Sequence, residues 1–369
     1  MKKQYDFFIL GAGLAGILLA YRLALSNKKV IIIDAKGVAE GASSTPLALA
    51  NPATGRFAKK SYKSKEALDS IALILEGKEH ILSSFVKKKK LIRPCFDIEI
   101  AEKTSKNVEV DNWENGSAEW LTKEEITHRF PLINESFGGL IVHNSYVFNP
   151  AAYLKYLLSE MRKYDCDVLE GINYQTTFEK DKQSWRIETE TDIYTAGQLI
   201  HCTGHEMAHK KNVPGVAIKG QTISVSLNKK HSKSKEWTAF LSEYSISAQG
   251  YLCTLDQNEW VMGSTYEHRF NTTDPDESGL KYLTNKLKRI SDELPNMVHV
   301  NNQWAGVRYS SPDRKPIIGT IDTEKKEHIF RGLASKGILY AHLYSKSMHD
   351  YLLYDHALPK EVTIDRYPL

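Results

Sequence analysis

The sequence predicts an α/β + α+β fold in which a Rossmann-like dinucleotide-binding domain is interleaved with a β-rich second domain. Three observations predict it. A strand, glycine turn, helix, strand unit opens the chain, and a strand, glycine loop, helix unit closes it. Between them, blocks with a helical apolar period alternate with blocks of β-type pattern, without an internal repeat or a low-complexity stretch. The 369 residues fit two domains at roughly 100–200 residues each.

The opening unit runs Tyr5-Asp6-Phe7-Phe8-Ile9-Leu10, then Gly11-Ala12-Gly13-Leu14-Ala15-Gly16, then an apolar helical pattern through Leu25. A second strand, Val30-Ile31-Ile32-Ile33-Asp34, ends in an acid. Gly11 permits the tight turn, Gly13 lets backbone approach a pyrophosphate, and Gly16 lets the helix pack close to the strand. The amides and dipole of the helix start favour phosphate charge. Asp34 stands 18 residues beyond Gly16, near the spacing of roughly 20 at which an acid accepts from a ribose hydroxyl. An acid there argues against a 2′-phosphate. The bland alternative is a glycine turn of any α/β domain, and the motif by itself does not separate NAD from FAD.

Next comes a small, apolar segment, Gly41-Ala42-Ser43-Ser44-Thr45-Pro46-Leu47-Ala48-Leu49-Ala50-Asn51-Pro52, suited to close approach by a flat ligand or to a buried loop. Lys65 to Ser84 has helical spacing, and Lys87 to Lys90 reads as a solvated lysine run. Strands are expected at Phe96–Ala101 and Gly139–His143, a helix over Ala151–Lys163, and strands near Val168 and at Gln198–Gly204. A β-rich block follows, with Ile218–Leu227, Gly250–Leu255 and Trp260–Gly263. A helix over Ser278–Asp292 precedes strands at Asn302–Tyr309 and Pro316–Gly319. The closing unit is Glu327–Phe330, the glycine loop Gly332–Gly337, and a helix from Leu343 to Leu353. Its amides suit an acceptor such as a ring carbonyl, and a second glycine loop fits a long cofactor held from both chain ends. The expected division is 1–85, 145–215 and 310–369 for the dinucleotide domain, and 86–144 and 216–309 for the substrate domain.

Composition excludes several classes. Hydrophobic residues are 41% and charged residues 25%, which excludes disorder for most of the length. Lys+Arg is 49 and Asp+Glu 45, so the net charge of +4 does not by itself mark a nucleic-acid protein. Cys95, Cys166, Cys202 and Cys253 form no CxxC pair, so neither a disulfide framework nor a metal site is expected. The apolar stretch Phe7–Ala20 is broken by three glycines and does not read as a secretory signal. No run reaches the roughly 18 apolar residues of a membrane span, and the expected location is cytoplasmic.

These motifs, in their order, resemble the D-amino-acid-oxidase superfamily of flavoproteins, which includes glycine oxidase and sarcosine oxidase. The resemblance covers nearly the whole chain. It rests on Gly11–Gly16 with Asp34, Gly41–Ser44, Tyr146-Val147-Phe148-Asn149-Pro150, Ile200-His201-Cys202-Thr203-Gly204 and Gly220-Gln221. It continues through Val261–Glu267, Trp304-Ala305-Gly306-Val307-Arg308, Asp313 with Pro316–Gly319, and Gly332–Gly337. Gly41-Ala42-Ser43-Ser44…Asn51-Pro52 and the Gly332–Gly337 loop look most like the oxidase module of the bifunctional enzyme making 5-methylaminomethyl-2-thiouridine in tRNA. A methyltransferase half is not expected from these 369 residues.

The resemblance implies a glycine oxidase-like arrangement with non-covalent FAD. Gly11, Ala12, Gly13, Leu14, Ala15, Gly16, Asp34, Ala35 and Lys36 would hold the ADP part. Thr203 and Gly204 would lie near the ribityl-pyrophosphate portion. Ala42, Ser43, Ser44, Leu47, Ala48 and Gly306, with Ala334, Ser335, Lys336, Gly337 and Ile338, would line the flavin. Sarcosine oxidases attach flavin through a cysteine near the chain's C-terminal end; here Cys253 is the last cysteine and lies far from the Gly332 loop.

Arg308 and Tyr251 are the implied catalytic residues. A guanidinium binds a carboxylate in bidentate fashion, and in the family the matching arginine grips the substrate carboxylate. An ion pair with Asp313 is the bland alternative. Tyr251 resembles the glycine-oxidase tyrosine that lines the pocket, and packing in a sheet core explains it nearly as well. Tyr309 stands where many relatives have proline, and His205 and His342 lie near the expected flavin loops without an assigned role. The implied reaction is FAD-dependent oxidation of an amine beside a carboxylate, in an amino acid or N-substituted glycine. Hydride passes to flavin N5 and the imine is hydrolysed. One alternative is oxidation of a carboxymethylaminomethyl group on a tRNA wobble uridine. Phosphates would then meet Lys87–Lys90, His209-Lys210-Lys211 and Lys229-Lys230-His231. The other is a flavin-binding protein without turnover.

Overall fold

A computed structural model describes residues 3–206, 213–256 and 259–367. The basic cluster His209-Lys210-Lys211 lies outside the described residues. The chain divides into two compact units. The first comprises Met1–Ser44, Pro150–Ile218 and Val307–Leu369; the second comprises Thr45–Asn149 and Lys219–Gly306.

The first unit is built on an eight-stranded sheet. Its parallel centre runs Glu327–Arg331, Ile193–His201, Lys3–Leu10, Val30–Asp34, Cys166–Glu170 in spatial order. Phe8, Ile9 and Val30 to Ile33 are fully buried, as expected of parallel strands covered on both faces. That double burial explains their continuous rather than alternating apolar pattern. Helices Leu14–Leu25, Pro150–Met161 and Gly337–Tyr354 belong to this unit, and the first packs against both others. Arg22 fastens the first helix to the last, donating from Nε to Ser345 Oγ at 2.9 Å and from Nη2 to the His342 carbonyl at 3.1 Å. Both ends of the chain therefore meet in one layer.

The second unit carries a nine-stranded, mainly antiparallel sheet. Helix Glu277–Ile290 lays Leu283, Leu287 and Ile290 into a core with Trp237 and Trp260. Its start is fixed by Asp276, whose Oδ1 accepts from the Gly279 amide at 2.9 Å.

Four expectations need correction. Phe96–Ala101 is not a strand; it is the entry to helix Ile98–Val110, with Asp97 capping the Ile100 amide. The alternation of Phe96, Ile98 and Ile100 imitates a strand, and the cap decides otherwise. Lys87–Lys90 is not a solvated run but the middle of strand Val86–Pro94, with Lys89 buried. The first segment of the first unit ends at Ser44 rather than residue 85, because Ala48–Ala50 pairs with Tyr146–Phe148 in the second unit's sheet. The closing helix begins at Gly337, six residues before Leu343. Strands Tyr174–Glu179 and Ser184–Thr189 and helix Ser234–Glu243 had no counterpart in the sequence reading.

Candidate functional site

Three loops converge in the first unit because they follow the C-terminal ends of neighbouring parallel strands: Gly11–Gly16, Cys202–Gly204 and Gly332–Gly337. In open α/β sheets ligands bind at that edge. Gly11 has φ +105°, and a Cβ there would stand 2.5 Å from the Cys202 carbonyl oxygen. A Cβ on Gly16 would stand 1.9 Å from the Gly11 carbonyl oxygen, so only glycine fits. Gly13 lies against Ser43, whose Oγ accepts from the Leu14 amide at 3.1 Å.

Asp34 closes this turn from the next strand. One carboxylate oxygen accepts from the Ala12 amide at 2.8 Å. The other accepts from the Lys36 and Gly37 amides at 2.9 and 3.1 Å. Each oxygen carries more than one acceptor direction, so the group can also take a ribose hydroxyl. Lys36 is exposed and pairs with Glu206 at 2.7 Å; Ala35 lies between it and Asp34. Ala42–Ser44 forms a short 3-10 turn beside helix Pro150–Met161.

At the other chain end, Gly332 has φ +75° and Ala334 φ +47°. Ala334–Lys336 forms a 3-10 turn that runs into the helix at Gly337, followed by Ile338. A Cβ on Gly337 would lie 3.4 Å from Leu14 Cδ1, so the two helix starts are neighbours. Neither helix has an acid in its first turn, and in neither does the side chain of the N-cap residue, Gly13 or Lys336, cap the helix. Burial and the nearby Arg314 and Lys315 hold the Lys336 ammonium below its ordinary pKa. Two neighbouring positive helix ends without an acid in the first turn fit a dinucleotide cofactor such as FAD. Thr203 Oγ1 donates to the Glu206 carbonyl at 2.5 Å, and Gly204 has φ +60° with open space beside it.

Arg308 lies half-buried near the end of strand Val298–Ser310. Asp313 is engaged by Arg366, which donates from Nε at 3.0 Å, and by Tyr367 and Ser311. These donors hold its carboxyl down at about 2, against the opposing effect of burial. Tyr309 is buried, donating to the Val213 carbonyl at 2.7 Å. The Arg331 guanidinium lies 3.6 Å from the centre of the Tyr309 ring. Arg331, 2% exposed at the mouth of the Gly332 loop, was missed in the sequence. The signal was there: a charge ending an apolar strand, the same pattern that singled out Arg308.

Leu47, Ala48, Tyr251 and Gly306 belong to the second unit. Tyr251 opens strand Tyr251–Thr254, and its hydroxyl donates to the Leu47 carbonyl at 2.8 Å. Opposite it stands Gly263, where a Cβ would meet the Tyr251 ring at 2.6 Å. The ring and the Leu47 backbone are thereby locked together.

The histidines have structural explanations. His342 is 1% exposed inside the closing helix, and burial next to Arg22 lowers its pKa to about 3. Burial also lowers that of His205. The lysine run is largely spent on the second unit itself. Lys87 donates to the Leu255 carbonyl and Lys89 to that of Leu241, while Lys90 pairs with Glu243 at 2.7 Å. Burial lowers the Lys89 pKa to about 8. Lys229 and His231 border the Asn228 turn. Among the described residues no cluster of three or more metal-ligating side chains occurs, and no helix is long and apolar enough to cross a membrane.

Comparison with known proteins agrees with this geometry. The tRNA 5-methylaminomethyl-2-thiouridine biosynthesis bifunctional protein MnmC of Leptospira interrogans is 22% identical, covering 97% of this chain and 59% of that protein. The chain thus spans little more than half the length of the bifunctional relatives. Glycine oxidase of Bacillus subtilis is 22% identical, covering 92% of this chain and 91% of its own. The crystal structure of glycine oxidase from Geobacillus kaustophilus superposes with a TM-score of 0.85 over 100% of both chains, at 17% identity. A family model described as FAD dependent oxidoreductase matches residues 6–350. The chain belongs to the FAD-dependent oxidoreductase family, and its cofactor is FAD.

Proposed function

We propose that this enzyme oxidises a CH–NH bond beside a carboxylate, in an amino acid or N-substituted glycine. The observation that carries the reading is the end-to-end correspondence with glycine oxidase in sequence coverage and fold. In this reading Gly11–Gly16, Asp34, Ala35, Lys36, Thr203 and Gly204 hold the ADP and ribityl parts of FAD without a covalent bond. Ala42–Ser44, Leu47, Ala48, Gly306 and the Ala334–Ile338 loop receive the flavin ring. Bound FAD supplies the two-electron oxidant that takes hydride from the substrate.

The chain's own residues supply orientation. Arg308 grips the carboxylate through two parallel N–H···O bonds and so fixes which C–H faces the oxidant. Tyr251, whose hydroxyl donates to the Leu47 carbonyl, is the second catalytic residue of this reading. No carboxylate or histidine is needed as base if the amine enters neutral, because nitrogen's lone pair develops an iminium ion as hydride leaves, and that ion gives a proton to water to become the imine. Water then hydrolyses that imine.

Anaerobic mixing with glycine, sarcosine, proline and D-amino acids tests this. A true substrate bleaches the yellow flavin. Arg308→Leu should weaken carboxylate binding by about 10- to 100-fold, the worth of a lost charge-assisted pair; an unchanged affinity would remove its role.

A second reading is favoured by the relatives of the bifunctional type. It is oxidation of a carboxymethylaminomethyl group on tRNA. Three of the four lysines at 87–90 already have intramolecular partners, which weakens it. Failure of every small amine, with bleaching by modified tRNA, would decide for it.

A further inference from the structure

An open pocket lies in the second unit, lined by Arg56, Arg93, Cys95, Phe96, Gln249 and Arg289 among others. None of the residues lining it is acidic. Arg93 is the penultimate residue of strand Val86–Pro94 and is 7% exposed. It donates to the carbonyls of Ala53 and Gly55, and among the described residues no carboxylate pairs with it. A buried cation is costly without a counter-charge, and two carbonyl dipoles answer only part of that cost.

A second unneutralised charge faces the same space. Arg289 lies 5.7 Å from the Phe96 ring centre and, among the described residues, has no carboxylate partner. Its Nη1 and Lys286 Nζ converge on the same Gln249 oxygen, at 3.5 and 3.4 Å. Two cations sharing one neutral amide repel each other, and burial with Arg289 nearby holds Lys286 below its ordinary pKa. Arg56 meets Glu99 only at 3.7 Å, and Glu99 is already held by Lys103 at 2.6 Å. Three arginines thus line a pocket whose one nearby acid is shared, with Lys286 beside Gln249 adding to the positive charge. A carboxylate ligand would neutralise one charge; a phosphate monoester brings about −1.5 to −2 and three acceptor oxygens.

We infer that this pocket is an anion site that takes a phosphate group, with Arg93 and Arg289 as its principal ligands. Nothing in this inference depends on the oxidase reading. The phosphate comes either from a free phosphorylated small molecule or from the terminal phosphate of an oligonucleotide.

Titration of the FAD-bound enzyme with inorganic phosphate tests it, against chloride at matched ionic strength. The expected result is a saturable rise in the unfolding midpoint with phosphate alone. Arg289→Gln should weaken binding at least about tenfold. Lys288→Gln, an exposed neighbour on the same helix, makes the same charge change and should leave affinity unaltered. Arg93→Gln should abolish binding, and Arg289→Gln keeps the test decisive if that variant does not fold. Phosphate that acts no differently from chloride overturns the site, as does equal weakening in Arg289→Gln and Lys288→Gln. Competition by glycerol phosphate, or by a 5′-phosphorylated but not a 5′-hydroxyl oligoribonucleotide, then names the source.

Discussion

Gly16 and Gly337 each stand at the start of a helix that follows a parallel strand, yet an added Cβ would meet different surroundings. At Gly16 it would lie 1.9 Å from a backbone oxygen; at Gly337 it would lie 3.4 Å from the end of a leucine side chain. The first contact cannot relax without moving the strand, whereas the second is ordinary packing. The N-terminal turn is therefore fixed by backbone against backbone. The C-terminal loop takes its shape from the left-handed conformations of Gly332 and Ala334. Two similar strings of small residues thus carry different constraints, and substitutions should separate them.

The largest effect is expected from Gly16→Ala. Overpacking against fixed backbone should cost about 3 kcal/mol or more and leave little FAD-bound protein. Urea unfolding and flavin absorbance measure both. A normal midpoint would mean that the helix can slide away from the strand, and the contrast with Gly337 would collapse.

The two ends are also joined through Arg22 and His342, which gives a pH test of their coupling. His342 is held neutral in the fold, with its pKa lowered from 6.5 to about 3. The unfolded chain then binds more protons than the folded one between these values. Stability is complete above pH 6.5 and falls as pH drops toward 3, by about 1.4 kcal/mol per pH unit. His328, lowered by burial to about 4, acts with the same sign. The difference in slope between wild type and His342→Gln isolates His342. Equal slopes would show that acid enters the closing helix without unfolding it.

Asp34→Ala should have an intermediate effect. It strands the amides of Ala12, Lys36 and Gly37 and removes the proposed ribose acceptor. A loss of about 1–3 kcal/mol is expected, with FAD binding weakened more than tenfold. Flavin release on dilution reads the second part. Destabilisation without weaker FAD binding would make Asp34 a fastener of the turn and nothing more.

The difference between the two turns also explains what was legible in the sequence. The opening unit was readable because each glycine answers a local steric demand, and Asp34 ends a strand whose apolar run is unmistakable. The start of the closing helix was not, because Gly337 to His342 carries no cap and is largely buried, so its period is hidden. Lys87–Lys90 misled because the counter-groups that make it a strand, Leu241, Glu243 and Leu255, lie more than 150 residues away. Phe96–Ala101 misled by local alternation that a single capping acid overrides. Arg331, like Arg308, closes an apolar run, but its burial and its stacking on Tyr309 depend on a residue 22 positions earlier and are not written in the local pattern. Features set by local backbone geometry were thus legible, and those set by distant partners were not.

The smallest effect belongs to Gly337→Ala, and its interest lies in splitting stability from cofactor binding. Gly337 has helical φ and ψ of −54° and −51°, so alanine fits the backbone without strain. Alanine also favours a helix over glycine by about 1 kcal/mol, less at an end than in the interior. The apoprotein should therefore unfold at an equal or slightly higher urea concentration. FAD affinity should nevertheless fall several-fold, because the proposed flavin contact requires bare backbone at the helix start. Calorimetric titration of FAD into the apo variant measures it. Unchanged affinity with raised stability would place the ring away from this loop. The second glycine loop would then be a connection, and the cofactor would be gripped from one chain end only.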